Sequence, residues 1–301
     1  MNIWLIAPGA NAKYFKECYE NDMIVLGWDS VGDIKKYASV DSIKTALQEK
    51  DPEYKDKNPS QAAKMLWDFG HKVEAGDLVI ARDGLTKLVG VGILGDYIPA
   101  DYESNPSKIE EHHQVREVTW LNDRVKEVPF QLSRNTIVSL NTLDEEKQDT
   151  IKELIKITED DNDKLAKYVI YGSDNNEQAE KLKNILNQYP IDEDYEEIIK
   201  KYIELAELGA KIYQYQEDMG EWGLIEDIAY GIFEDDSNIY PNLWEALVEY
   251  AYLDEGESLT EYEQIEEVNM CLFDEVFEIG KKDYIDEQLE FLWKICEDEG
   301  C

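Results

Sequence analysis

Residues 78–94 read LVIARDGLTKLVGVGIL. Apolar runs stand on both sides of Asp83-Gly84, and an Asp-Gly pair between apolar runs is typical of a β-hairpin. In the second run, Gly90 and Gly92 leave room for close packing or a bulge. The segment therefore predicts two antiparallel strands joined by a tight turn.

Other β-type runs stand on both sides of this hairpin, separated by segments of helical period. The predicted strands cover 3–7, 23–28 and 114–121, and the predicted helices cover 12–20, a short stretch ending at 47, and 60–71. Residues 48–59 are charged and hold two prolines, so we interpret them as a flexible loop. This mixture predicts an α+β domain with a small curled mixed sheet or open barrel and flanking helices.

Charge divides the chain into two parts. Residues 1–128 carry 16 Lys and Arg against 22 Asp and Glu, a net charge of −6. Residues 129–301 carry 14 against 46, a net charge of −32, which brings the whole chain to −38. Such asymmetry indicates two units with different roles. Beyond residue 157 the apolar residues recur at helical spacing, and residues 195–208 are predicted to form an amphipathic helix. We therefore expect a domain at 1–157, a linker or connecting helix at 158–189, and an acidic all-α domain at 190–301.

The acidic excess limits the partners of the chain. A strongly negative surface repels nucleic acid and membrane headgroups, so any nucleic-acid contact is expected from the N-terminal domain. No apolar run is long enough to span a membrane, and the opening MNIWLIAPG is typical of a buried strand and not of a signal peptide. The cysteines are widely spaced, at 18, 271, 296 and 301, which predicts free thiols in a reducing cytoplasm.

The sequence lacks the common catalytic motifs. It has no GxxxxGK[ST] phosphate loop, no GxSxG elbow and no clear nuclease constellation. His112 and His113 are adjacent, and neighbouring residues in a loop rarely chelate one ion. We therefore expect a non-enzymatic protein with no cofactor and no metal.

Three stretches carry a resemblance to a known family. The first stretch combines IWLIAPGANA at 3–12 with VLGWD at 25–29 and GDI at 32–34. The second stretch runs from GDLV at 76–79 to GVG at 90–92 and then Asp96-Tyr97. The third stretch combines VREVTW at 115–120 with SRNT at 133–136. In this order they resemble the N-terminal domains of McrB-type modification-dependent restriction proteins, and they are similar to EVE and YTH readers of the PUA superfamily. In place of Asn135 the YTH family has Asp.

The resemblance implies a PUA/EVE-like fold that holds a flipped-out modified base in an aromatic pocket. Trp28 follows a strand and is the expected pocket aromatic, with core packing as its alternative. Asp29 is expected to accept a hydrogen bond from a base amino group or to cap the next turn. Asn11 is expected to line the pocket or to cap a helix. Tyr97 and Tyr102 are candidate second walls, with packing or surface tyrosines as the alternative.

Few cations lie near these stretches. Arg134, with Asn135 and Arg116, is expected to contact the nucleic-acid backbone, and the alternative is surface ion pairing. Arg82 and Lys87 are weaker candidates for the same contact.

Two functional hypotheses follow. In the first, the protein recognises a modified base in nucleic acid, with DNA preferred to RNA, and works in restriction or antiviral defence, while its acidic half recruits a basic protein partner or restrains non-specific binding. In the second, the acidic half imitates nucleic acid and makes the chain an inhibitor of a basic protein. The sequence leaves the modification and the oligomeric state open.

Overall fold

The computed structural model describes residues 2–170 and 175–219, together with Trp293. The chain divides into two compact units, and the boundary in the sequence lies between Lys156 and Ile157. In the part of the chain so described, no helix has the length and apolar character needed to cross a membrane.

The first unit contains a mixed, curled half-barrel sheet. Its strands, within the described residues, are β1 (Ile3–Ile6), β2 (Met23–Leu26), β3 (Leu78–Asp83), β4 (Lys87–Ile98), β5 (Gln114–Asn122), β6 (Lys126–Glu127) and β7 (Ile137–Ser139). The strand order is β2-β5-β4-β3-β1-β7, and β6 pairs with the start of β4. The β1–β3 pair is parallel and all other pairs are antiparallel, so the predicted mixed sheet is confirmed.

The predicted hairpin is confirmed as β3 and β4, with Gly84 at a φ of 58° in the turn. The register shifts between Ala81 and Arg82, which marks a bulge at the end of β3. Close packing explains Gly90, because a Cβ there would lie 2.4 Å from the ring of Phe15.

Four helices flank the sheet in this unit. They are α1 (Phe15–Glu20), α2 (Val40–Lys50), α3 (Ser60–Trp67) and α4 (Glu145–Leu154). Ser39 caps α2 through a capping box with Ser42. The interpretation of 48–59 as a flexible loop was wrong in part, because α2 extends to Lys50 and Pro52–Tyr54 forms a 3₁₀ turn.

The core lies between the sheet and the helices α1, α2 and α3. Trp4 and Trp120 are buried in it. The indole Nε1 of Trp120 donates to the carbonyl of Cys18, and burial raises the pKa of the Cys18 thiol to about 12.

The described part of the second unit is helical. It comprises α5 (Asn162–Ile170), α6 (Asn175–Gln188) and α7 (Glu193–Met219), and α6 packs against α7. The amphipathic segment predicted at 195–208 lies within α7 and buries Ile199 and Tyr202. The range 158–189, predicted as a linker or connecting helix, holds α5 and α6. The remainder of the predicted acidic domain at 190–301 lies outside the described residues, apart from Trp293.

Candidate functional site

An open cleft of about 1010 Å³ lies at one set of strand ends of the first unit. Its lining comes from the ends of β1, β2 and β3, from the segments before β5 and β7, and from residues 51–54 after α2. In the strand order, β2 and β5 lie at one end while β3, β1 and β7 lie at the other. The curl of the sheet brings both groups of strand ends to one cleft. We call them the β2–β5 flank and the β3–β1–β7 flank.

Trp28 lines the β2–β5 flank directly after β2. Its ring is half-buried and packs on the core, and its Nε1 donates to the hydroxyl of Tyr54 at 3.0 Å. Tyr54 lines the same cleft from the 3₁₀ turn that follows α2. Two hydrogen-bonded aromatic side chains therefore line one wall of the cleft.

Asp29 lies beside Trp28 and is held by His113. One carboxylate oxygen accepts the backbone N–H of His113 at 2.8 Å, and the other lies 2.6 Å from its Nδ1. Each oxygen keeps a further lone pair, so Asp29 can still accept from a ligand. Among the described residues, no three His, Cys, Asp or Glu side chains gather as metal ligands would.

Asn11 also lines the cleft, but the prediction that it caps α1 was wrong. Its backbone lies in the left-handed region at a φ of 52°, and α1 begins only at Phe15, after Tyr14. The tight loop depends on Gly9, whose φ is 77° and whose Cβ would lie 2.5 Å from the Tyr14 ring. The PGANA segment at 8–12 is therefore a tight loop that lines the cleft, and it does not cap a helix.

Strained backbone is concentrated around the cleft. Five non-glycine residues have positive φ in the described chain, and Asn11, Trp28 (64°) and Glu111 (61°) line the cleft. The left-handed region costs roughly 1–2 kcal/mol for residues with a Cβ, although Asn tolerates it well. Such strain persists where the surrounding structure imposes it, which is often at a binding site.

Two arginines line the β3–β1–β7 flank. Arg134 is exposed, and no hydrogen bond or ion pair holds its side chain to any described residue. Arg82 is only 4% exposed and donates to the carbonyls of Gly84 and Asn135. Burial lowers the pKa of Arg82 below its usual value. Arg82 thereby ties the β3–β4 turn to the loop that presents Arg134.

Tyr97 and Arg116 lie away from this cleft, and their burial does not support the predicted roles in base and phosphate contact. The Tyr97 hydroxyl accepts from the Ile34 backbone and donates to Gln114, and burial raises its pKa. Arg116 is 3% exposed and donates to the carbonyls of Phe69, Val73 and Gly95. Burial lowers the pKa of Arg116 to about 10. Both side chains hold the sheet to neighbouring loops.

Tyr102 and Asn135 also lie outside the lining of the cleft. Tyr102 is 56% exposed. The Asn135 side chain accepts from Gln61 and lines a separate cleft of about 680 Å³. The cleft thus brings together Trp28, Asp29, Asn11 and Arg134, four of the eight predicted site residues.

The residue-level prediction missed Tyr54 and Glu111 in the cleft and ranked Arg82 as a weaker candidate only. Tyr54 follows Asp51-Pro52, and an Asp before a Pro is a helix-start signal that argues against a flexible loop. Arg82 was given only a minor role, although a charged residue in an apolar strand is itself unusual. Nothing in the sequence pointed to Glu111, because its left-handed backbone depends on the fold.

Comparison with protein families finds one match, at residues 4–147, to a model described as a domain of unknown function, DUF8426. The match covers just under half of the chain and includes every residue that lines the cleft. No curated protein and no solved structure matches the chain.

Proposed function

We propose that the first unit is a non-catalytic reader of a modified base in nucleic acid, and that the cleft at Trp28 holds the base. The observation that carries the proposal is the position of Trp28: it lines an open cleft, in strained backbone, hydrogen-bonded to a second aromatic residue.

The aromatic wall supplies the energy that base reading needs. Taking a base out of a duplex costs a few kcal/mol. Stacking on an aromatic side chain contributes about 1–3 kcal/mol per base, so Trp28 and Tyr54 together offset much of that cost. A methyl or hydroxymethyl group on the base adds apolar contact in such a pocket.

Arg134 supplies the backbone contact. Its side chain is exposed in the cleft and unpaired in the described chain, so it is free to meet a phosphate. A single such cation gives weak non-specific attraction, and the net charge of −38 opposes it. Binding is therefore expected to depend on the base in the pocket.

Several parts of the proposal rest on the resemblance of the sequence. These are the PUA/EVE-like character of the fold, the preference for DNA over RNA, and the place in restriction or antiviral defence. The cytoplasmic location rests on the widely spaced cysteines. The all-α nature of the acidic domain through residue 301 rests on its helical period.

The test is fluorescence-polarisation binding of the full chain to matched oligonucleotides at low salt. The panel holds unmodified strands and strands with one N6-methyladenine, 5-methylcytosine or 5-hydroxymethylcytosine. We expect modification-dependent binding that Trp28→Ala weakens by at least about tenfold, as the loss of a stacking partner predicts. Trp28→Phe is expected to retain part of the affinity.

Tyr102→Ala is the matched control, because Tyr102 is an exposed aromatic outside the cleft. It is expected to leave binding unchanged. Binding that ignores the modification, or that survives Trp28→Ala in a folded variant, would refute the reader function.

The alternative, an acidic inhibitor of a basic protein, has one observation in its favour. The carboxylates of Glu193, Glu197, Glu204 and Glu207 lie on the exposed side of α7 at helical spacing. Partners already engage some of them: Glu204 accepts from Trp293, Glu207 pairs with Lys183, and Glu197 is not free either. A pull-down that captures a basic protein from the native host, together with no oligonucleotide binding, would favour this function.

A further inference from the structure

Charged side chains in the cleft are segregated by flank. The β3–β1–β7 flank presents Arg82 and Arg134. The opposite side, made by the β2–β5 flank and the turn after α2, is lined by no Lys or Arg; its acidic residues are Asp29, Asp51, Glu53 and Glu111, and His112 lies next to Glu111. The cleft is therefore polarised, with cations facing one end of a ligand and carboxylates facing the other.

Arg82 gives the cationic end of the cleft a buried positive charge in addition to the exposed one of Arg134. Its two terminal nitrogens donate to backbone carbonyls, its buried Nε has no hydrogen-bond partner, and no carboxylate pairs with it in the described chain. A buried charge without a counter-charge is costly, and an anion brought close to it offsets that cost. Arg134, in the loop that Arg82 anchors, adds a second cation suited to phosphate.

The acidic end favours hydrogen-bond donors. Glu111 is exposed, held in left-handed backbone, and without a side-chain partner in the described chain. Its loop packs closely on Gly27, where a Cβ would lie 3.0 Å from the Glu111 carbonyl oxygen. Asp51 accepts from Ser30 and from the Glu53 backbone and keeps further lone pairs. An ionised carboxylate only accepts, so it attracts amino groups and repels carbonyl oxygens.

We infer that the cleft selects nucleotides whose base carries an exocyclic amino group over those that carry a carbonyl at the same position. The phosphate lies toward Arg82 and Arg134, and the amino edge of the base lies toward Glu111 and Asp51, with the ring on Trp28. This inference rests on the proposed function and adds the class of base. The same chemistry is offered by a free nucleotide and by a base flipped out of a strand.

The test uses pairs of bases that differ mainly in amino against carbonyl. They are 5-methylcytosine against thymine, 5-hydroxymethylcytosine against 5-hydroxymethyluracil, and adenine against hypoxanthine. Each is placed in the same labelled oligonucleotide and titrated with the full chain. We expect the amino member of the best-bound pair to bind at least about tenfold more tightly, within the range of a good base contact.

Two variants and a control assign the selectivity. Glu111→Gln and Asp51→Asn are expected to shrink the preference to about twofold or less, because an amide also donates to a carbonyl. Glu110→Gln removes a neighbouring exposed carboxylate outside the cleft and is expected to leave the preference intact. Arg134→Gln is expected to weaken both members of a pair equally.

The outcomes separate the two proposals. Trp28-dependent binding with equal affinity for both members of every pair overturns the inference and leaves the reader function standing. No binding by any oligonucleotide or nucleotide overturns both. If the free nucleotides compete with the same preference, the cleft takes single nucleotides; if only strands show it, the cleft takes a flipped-out base.

Discussion

Arg116 and Arg134 both come from the stretches that suggested nucleic-acid contact, yet they lie in opposite surroundings. The region around Arg116 is buried, and its guanidinium donates to the carbonyls of Phe69, Val73 and Gly95. The hydroxyl of the neighbouring Tyr97 accepts one hydrogen bond and donates another within the chain. The region around Arg134 is open, with an unpaired cation and strained backbone in the same cleft.

The difference teaches how to separate structural from functional polar residues. In the closed region, hydrogen bonds are completed inside the chain, so the residues stabilise the fold and offer nothing to a ligand. In the cleft, donors and acceptors are left over and the backbone is held in costly conformations. Residue type and motif position do not distinguish the two regions, whereas the hydrogen-bond partners do.

The comparison is tested most strongly by removing Arg116. Arg116→Met keeps much of the volume but removes the donor from three carbonyls, of which those of Phe69 and Val73 are in buried hydrogen bonds. We expect the free energy of unfolding to fall by about 3 kcal/mol, measured by urea denaturation. Arg134→Met is the matched control and should change it by less than about 0.5 kcal/mol. Similar losses in both variants would show that the two regions do not differ as described.

A smaller effect is expected from Tyr97→Phe. The variant removes one hydroxyl and leaves the buried Ile34 N–H and Gln114 oxygen unpaired. We expect a loss of about 2 kcal/mol in the free energy of unfolding and no change in oligonucleotide affinity, since Tyr97 lies outside the cleft. Tyr102→Phe, at an exposed site, should be neutral in both measurements. A loss of affinity in folded Tyr97→Phe would place Tyr97 in the binding site.

The class of the first unit and several of its strands and helices could be predicted from local patterns, whereas its strand order could not, and the site could be predicted only in part. The hairpin and the buried strands follow from turn chemistry and hydrophobic period. Trp28 was found because it directly follows a strand. The pairing of Trp28 with Tyr54 was not, because it joins residues that only the tertiary fold brings together. Arg116 is buried and Arg134 is exposed, and this difference distinguishes their roles. The sequence places Arg116 on a half-buried strand but does not show whether its guanidinium bonds within the chain or faces solvent.

Strain at the cleft gives the third prediction. Glu111 has a φ of 61°, which glycine adopts without penalty, whereas its exposed neighbour Glu110 has an ordinary backbone. Both Glu→Gly changes remove one negative charge, and both raise the conformational entropy of the unfolded chain by the same amount. We therefore expect Glu111→Gly to be more stable than Glu110→Gly by about 1 kcal/mol in urea denaturation. Equal stabilities would mean that the backbone at Glu111 stores no strain.

The smallest effect is expected from Arg134→Gln, and it appears in salt dependence. Stability should change by less than about 0.5 kcal/mol, because the side chain is exposed and has no partner in the described chain. Each phosphate contact contributes about 0.7–0.9 to the slope of log affinity against log salt concentration. We therefore expect the slope for the best-bound oligonucleotide to fall by that amount in Arg134→Gln, measured by fluorescence polarisation. Lys87→Gln removes a cation that does not line the cleft and should leave the slope unchanged. A slope that responds equally to both variants would mean that Arg134 acts through net charge alone and makes no contact with phosphate.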